Sequence, residues 1–236
     1  MIPRPQTALT RRFLALGVTV LLITMTAVAG LYRWPLDDET LRPPAQPMSF
    51  ATATARIAAQ TEAEKADSRI RSECRSVALV HPEPSAKAVL MLHGYLGCPG
   101  RLAGLAAIYY EQGYNVYVPL APRHGRTDPE AHRSLTAREL TTYAGSAMDI
   151  TAALGAETGV MGTSAGGVLA TWLTTTRPTQ VHRMLVIAPF FRPSADQVPP
   201  LAVRPMTVGS PGPRYATART EERRRGHVAR GPVHRP

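Results

Sequence analysis

Apolar residues fall along this chain in short unbroken runs separated by polar, proline- and glycine-containing breaks. Residues 88–92 read Ala-Val-Leu-Met-Leu, an uninterrupted run that suits a strand buried on both faces. Comparable runs lie at 76–80, 115–120, 157–161 and 184–189, and each is read as a strand. Residues 101–112 and 167–173 read as helices that follow two of these strands. Residues 50–75 are rich in alanine, glutamate and arginine, with little strand propensity, and read as a helix on the outside of the fold. No internal repeat is visible. Apolar strands interleaved with helices predict a mostly parallel sheet covered by helices.

The two ends of the chain break this pattern. Arg11 and Arg12 precede an uncharged apolar run from Phe13 that extends to Tyr32, about 20 residues and enough to span a bilayer. Ala27-Val28-Ala29 within it supplies a small-x-small cleavage pattern, so residues 1–35 read either as a signal peptide or as an uncleaved membrane anchor. Both readings place the body of the protein outside the cytoplasm: membrane-anchored, periplasmic or secreted. Residues 36–50 are rich in proline and charge and read as a linker. At the other end, residues 209–236 carry arginine, proline and glycine without apolar periodicity, and read as a disordered basic tail. Their composition suggests a shifted reading frame or an abrupt truncation.

The formal charge is +10, but it is concentrated at the ends. Arg4, Arg11, Arg12 and Arg33 precede the first acidic residue, Asp37, and seven arginines against two glutamates follow Pro213. The body between is nearly neutral and has no basic face of the kind that tracks a phosphate backbone, which argues against nucleic acid as a partner. Cys74 and Cys98 are the two cysteines. In an exported chain they are expected to pair and to pin the N-terminal strand near the loop after residue 92. No C-x-x-C or H-x-x-x-H spacing is present, and neither a metal nor a cofactor is expected.

The chemistry is carried by two motifs. Gly162-Thr163-Ser164-Ala165-Gly166 stands between a strand-type run and a helix-type run. A G-x-S-x-G pentapeptide in that setting is a nucleophile elbow, which lifts a serine hydroxyl out at the end of the sheet. Gly162 and Gly166 are needed because side chains there would crowd the turn. The second motif, His93-Gly94-Tyr95, follows the apolar run 88–92. Gly94 lets the backbone turn so that the N–H of Tyr95 faces the serine, with the N–H of Ala165 as second donor. Two such donors form an oxyanion hole, each typically worth about 2.7–4 kcal/mol of transition-state stabilisation.

With these motifs the chain resembles the α/β-hydrolase family, in particular the branch of monoglyceride lipases, carboxylesterases and serine-aminopeptidase-type hydrolases. The resemblance runs from about residue 77 to 191. It includes the loop Pro122-Arg123-His124-Gly125-Arg126-Thr127, which is similar to the G-H-G-x-S element of the branch with Arg123 in place of its first glycine. It implies an α/β-hydrolase sheet, spanning residues 51–208 and missing its last strands. It also implies cleavage of a small-molecule or lipid-like ester through an acyl-enzyme on Ser164. In the family His93 and His124 are structural, the acid follows a later strand, and the histidine follows the last strand. Asp196 follows the run 184–189 and is the candidate acid. His227 and His234 are the histidines in the right chain order, with His227 taken as the candidate base. Their surroundings do not look like folded strands. The alternatives are therefore a non-catalytic, truncated pseudo-hydrolase, or an acyltransferase in which an alcohol replaces water.

Overall fold

The computed structural model describes residues 6–33 and 41–191, together with 194, 196, 198 and 199. These fall into two units. One contains α1 (Gln6–Arg33) and the described residues from Ser194 onward. From Thr10 to Arg33 this helix has a mean hydropathy of 2.2 over its most apolar window, so it is long and apolar enough to cross a membrane by length and composition. The hydroxyls of Thr19, Thr24 and Thr26 donate to the carbonyls four residues earlier, so these polar groups are satisfied within the helix itself.

The second unit is the body. Its elements in order are α2 (Phe50–Ala66), β1 (Val77–Leu79), β2 (Ser85–Leu92), α3 (Ala103–Glu111), β3 (Tyr114–Val118), α4 (Ala137–Ala152), β4 (Gly155–Thr163), α5 (Ala165–Thr176) and β5 (Arg183–Ile187). The five strands form one sheet in the order β1-β3-β2-β4-β5. β2, β3, β4 and β5 run parallel, and β1 closes one edge antiparallel to β3. The alternation of β2 explains why its whole run is apolar. Ala88, Leu90 and Leu92 face a core shared with α2, α4 and α5, whereas Val89 and Met91 face a second core under α3. This is the mostly parallel, helix-covered sheet of an α/β-hydrolase.

Local chemistry sets the element ends. Ser49 caps α2 by accepting from the Thr52 N–H, and the helix stops at Ala66, well short of residue 75. There Asp67 accepts from the Arg69 N–H in a turn that competes with the helix. The sequence reading assigned no element between residues 128 and 156, yet α4 lies there. It starts with a capping box in which Thr136 and Glu139 satisfy each other's backbone N–H groups. β4 begins at Gly155, two residues earlier than the apolar run, where it pairs with Ser85 of β2; a Cβ there would lie 2.8 Å from the Ala88 nitrogen, so this close approach requires glycine.

Part of the segment read as a linker belongs to the body. The Pro43 carbonyl accepts from Arg177 Nη2 at 2.6 Å. Arg177 and Asp149 form a buried ion pair at 3.3 Å, and Gln180 donates to the same carboxylate at 3.0 Å. Without these partners either charge would be costly to bury. Pro43 is thereby tied to Arg177, the residue that ends α5.

Candidate active site

β4 delivers Ser164 to the carboxyl end of the sheet in a backbone conformation that side chains avoid, φ 52° and ψ −118°. Such a conformation costs of order 1–3 kcal/mol and persists only where its surroundings enforce it. Four hydrogen bonds do so. The Ser164 N–H donates to the Ile187 carbonyl at 2.9 Å, and the Ser164 carbonyl accepts from the N–H groups of Gly167 at 3.0 Å, Phe190 at 3.3 Å and Val168 at 3.4 Å. The glycines on either side are obligatory. A Cβ on Gly162 would lie 2.1 Å from the Gly166 carbonyl oxygen, and one on Gly166 would lie 2.2 Å from that of Leu92. Strand β4 and helix α5 can approach this closely only through bare backbone.

The loop after β2 meets the serine from the other side. A Cβ on Gly94 would stand 3.2 Å from Ser164 Cβ and 3.8 Å from its Oγ, so the Gly94 backbone lies directly against the hydroxyl. The next residue is Tyr95. Among the described residues its N–H and that of Ala165 donate to no protein acceptor. Ala165 is the first residue of α5, where helix geometry leaves N–H groups free and the helix dipole favours negative charge. Ser164 is exposed, and its hydroxyl has no hydrogen-bond partner among the described residues.

The two histidines beside this site are committed elsewhere. His93 Nε2 accepts from the Ala121 N–H at 3.1 Å, which requires the proton on Nδ1, 3.0 Å from the Gly94 carbonyl. Burial holds its pKa down at about 4. His124 Nδ1 lies 2.8 Å from the Pro122 carbonyl, and burial lowers its pKa as well. Edge-on contacts join the Tyr95 ring to those of His124 and His132, and the Tyr95 hydroxyl donates to the His132 carbonyl at 3.3 Å. Burial raises the Tyr95 pKa, so the phenol stays neutral.

Arg123 has φ 63°, the left-handed region that glycine would occupy freely. Its guanidinium is fixed on Glu139 at 2.9 and 3.0 Å and on Ser134 at 2.8 Å. Cys74 and Cys98 form a disulfide, with Cα atoms 5.1 Å apart. Asp196 is exposed and falls in the unit of α1, not that of Ser164. His227 and His234 lie outside the described residues. Sequence reasoning did not pick out the exposed apolar residues on the loops that follow β2 and β5. Leu96, in the loop of Tyr95, and Phe190 and Phe191, just beyond β5, are all exposed. A large exposed apolar residue beside each half of a catalytic motif was the available signal. Among the described residues no cluster of side chains suits a metal ion.

A parallel sheet with a strained serine between strand and helix, faced by a glycine turn from the neighbouring strand, defines the class as an α/β-hydrolase. The sequence model of the serine aminopeptidase S33 family matches residues 83–224, and the chain belongs to that hydrolase family. Among solved structures, it is similar at 26% identity to one from a study of LipS and LipT, two metagenome-derived lipolytic enzymes. The TM-score is 0.50, over 54% of this chain and 51% of that one. It also matches a hydrolase from Thermoplasma acidophilum at 26% identity, with a TM-score of 0.38 over 48% and 56% of the two chains. A bacterial membrane phospholipase A matches at 20% identity, with a TM-score of 0.38 over 78% and 55%. The chain thus spans about half the length of the lipolytic enzyme it matches. No protein of curated function matches it.

Proposed function

We propose that this chain is a serine hydrolase of the carboxylesterase or lipase type that cleaves an ester through an acyl-enzyme on Ser164. The observation that carries the reading is the juxtaposition of the strained, exposed Ser164 with the Gly94 backbone. The N–H groups of Tyr95 and Ala165 are the oxyanion donors, and their lack of an acceptor among the described residues supports that role. Leu96, in the loop of Tyr95, and Phe190, whose N–H donates to the Ser164 carbonyl, are exposed apolar residues on the two loops that meet the serine, which favours a substrate with an alkyl or acyl group, a small-molecule ester or a lipid-like one. Chain order assigns the base to His227 and the acid to Asp196. The apolar α1 and the disulfide support an exported protein, either held at a membrane by its N-terminal segment or released after cleavage of a signal peptide.

One observation favours a second reading. No histidine among the described residues hydrogen-bonds Ser164, and His93, His124 and His182 each have a ring nitrogen at hydrogen-bond distance from a backbone group. Without a base, a serine retains only about 10³–10⁴-fold catalysis from the oxyanion hole and binding. The chain would then be a pseudo-hydrolase that binds acyl ligands. An acyltransferase differs from the main reading only in the acceptor of the acyl group. Turnover of p-nitrophenyl esters by the purified chain, beside Ser164→Ala, separates these readings. The hydrolase reading expects turnover that the substitution abolishes, and equal background from both proteins would establish the pseudo-hydrolase. Added alcohol diverting the acyl group from water would identify a transferase.

A further inference from the structure

We propose that the Cys74–Cys98 disulfide is a positioning element of the oxyanion loop. It would hold the Tyr95 N–H where the developing charge on the substrate needs it. The inference rests on the assignment of Tyr95 as an oxyanion donor. The loop itself is slight. Residues 94–97 close a turn with one internal hydrogen bond, Gly97 N–H to the Gly94 carbonyl at 2.9 Å, and Leu96 at its tip is exposed. Its near end is anchored to the sheet through His93, and the Tyr95 ring leans on His124 and His132. Its far end runs straight into Cys98, which is buried and bonded to buried Cys74.

Cys74 is in turn fixed in a tight junction of three segments. A Cβ on Gly125 would lie 2.6 Å from Cys74 Cβ, and one on Gly100 would lie 2.1 Å from the Glu73 carbonyl oxygen. The backbone is stitched across the same place by Arg71 N–H to the Gly125 carbonyl at 2.9 Å and Thr127 N–H to the Arg69 carbonyl at 2.8 Å. Cys98 therefore joins the loop to a part of the body that has no room to shift. An oxyanion donor acts only if it is preorganised, and a displacement of about 1 Å can cost up to about 100-fold in rate. A covalent tie three residues from Tyr95 suits that requirement.

The test replaces the bond while refilling its volume, with Cys74→Ala/Cys98→Val. Two readouts are taken: hydrogen exchange at the amides of residues 94–97, and the second-order rate of fluorophosphonate labelling at Ser164. The expected result is exchange of the hydrogen-bonded Gly97 amide at least about 10-fold faster, with the amides of β2 and β4 unchanged, and labelling slowed about 10- to 100-fold. Exchange that rises equally in the loop and in the strands would overturn the proposal, because the bond would then be a general staple. Unchanged exchange at Gly97 would overturn it too. If the double variant does not fold, the same exchange comparison on native wild-type protein reduced with a phosphine decides the matter on the same criteria. Failure of the wild type to label would sink the hydrolase reading alone, since the exchange result stands without it.

Discussion

Strands β2 and β5 flank β4 in the same sheet, and they meet different surroundings. Along β2 the side chains from Ala88 to Leu92 are at most 5% exposed, divided between two cores. Along β5, Met184, Leu185 and Ile187 are 43%, 47% and 45% exposed. Yet both strands hold Ser164. β2 contributes the Gly94 turn against its hydroxyl, and β5 contributes the Ile187 carbonyl that accepts its N–H. The elbow is thus determined by packing on the β2 side and by backbone pairing on the β5 side. Stability should therefore be sensitive to side chains along β2 and largely insensitive to those along β5.

The sharpest way to break that comparison is a methyl group. Gly166→Ala drives a Cβ into the Leu92 and His93 carbonyls, at 2.2 and 2.7 Å, and no flexible side chain is there to yield. We expect a loss of about 4 kcal/mol or more, seen as insoluble expression. Gly159→Ala, facing β5 with its nearest atom at 3.5 Å, should change the urea midpoint little. Equal damage from both would show that β5 is as tightly packed as β2.

Next in size is truncation of a side chain on each strand. Leu92 is fully buried, and Leu92→Ala should cost about 2–5 kcal/mol in chemical denaturation. Leu185→Ala should cost under about 1 kcal/mol, as surface substitutions usually do. A large loss at Leu185 would mean that this face of β5 is covered in the folded protein.

Acid should act on the β2 side through His93. Its folded pKa of about 4 lies below the ordinary value of 6.5, so the unfolded chain binds the proton more readily. The stability that neutral His93 provides is therefore complete above pH 6.5 and is lost as pH falls toward 4, a change on the order of 3 kcal/mol. Urea midpoints across that window, compared with His93→Gln, should show a steeper fall for the wild type. Parallel curves would remove His93 from the account.

The smallest effect is a gain. Ser164→Gly relieves the left-handed backbone at the price of chain entropy in the unfolded state, and should raise stability by about 1 kcal/mol while abolishing labelling. A loss of stability would show that the elbow is not strained.

Legibility in the sequence followed the same divide. The run 88–92 and the glycines around Ser164 could be read directly, because burial on two faces and close backbone approach leave few residue choices. Helix α4 was missed. Its buried face is made largely of small or polar residues such as Ala144, Gly145 and Thr151, so the hydrophobic pattern was weak, although Thr136 and Glu139 carried a capping signal. The buried Arg177–Asp149 pair was equally unreadable. Two charges 28 positions apart in sequence look like solvated surface until the fold brings them together. Chain order alone points to Asp196 and His227 as candidate acid and base, and nothing local in the sequence marks either for that role.

The central claim is that Ser164 is an activated nucleophile, and a fluorophosphonate probe tests it most directly, because it reacts only with such a serine. Purified chain would be labelled at neutral pH, digested and mapped by mass spectrometry, with Ser164→Ala alongside. The account predicts one adduct, on the peptide containing Ser164, absent from the substituted protein and blocked by prior denaturation. Folded protein that remains unlabelled under conditions that saturate a control esterase would contradict it.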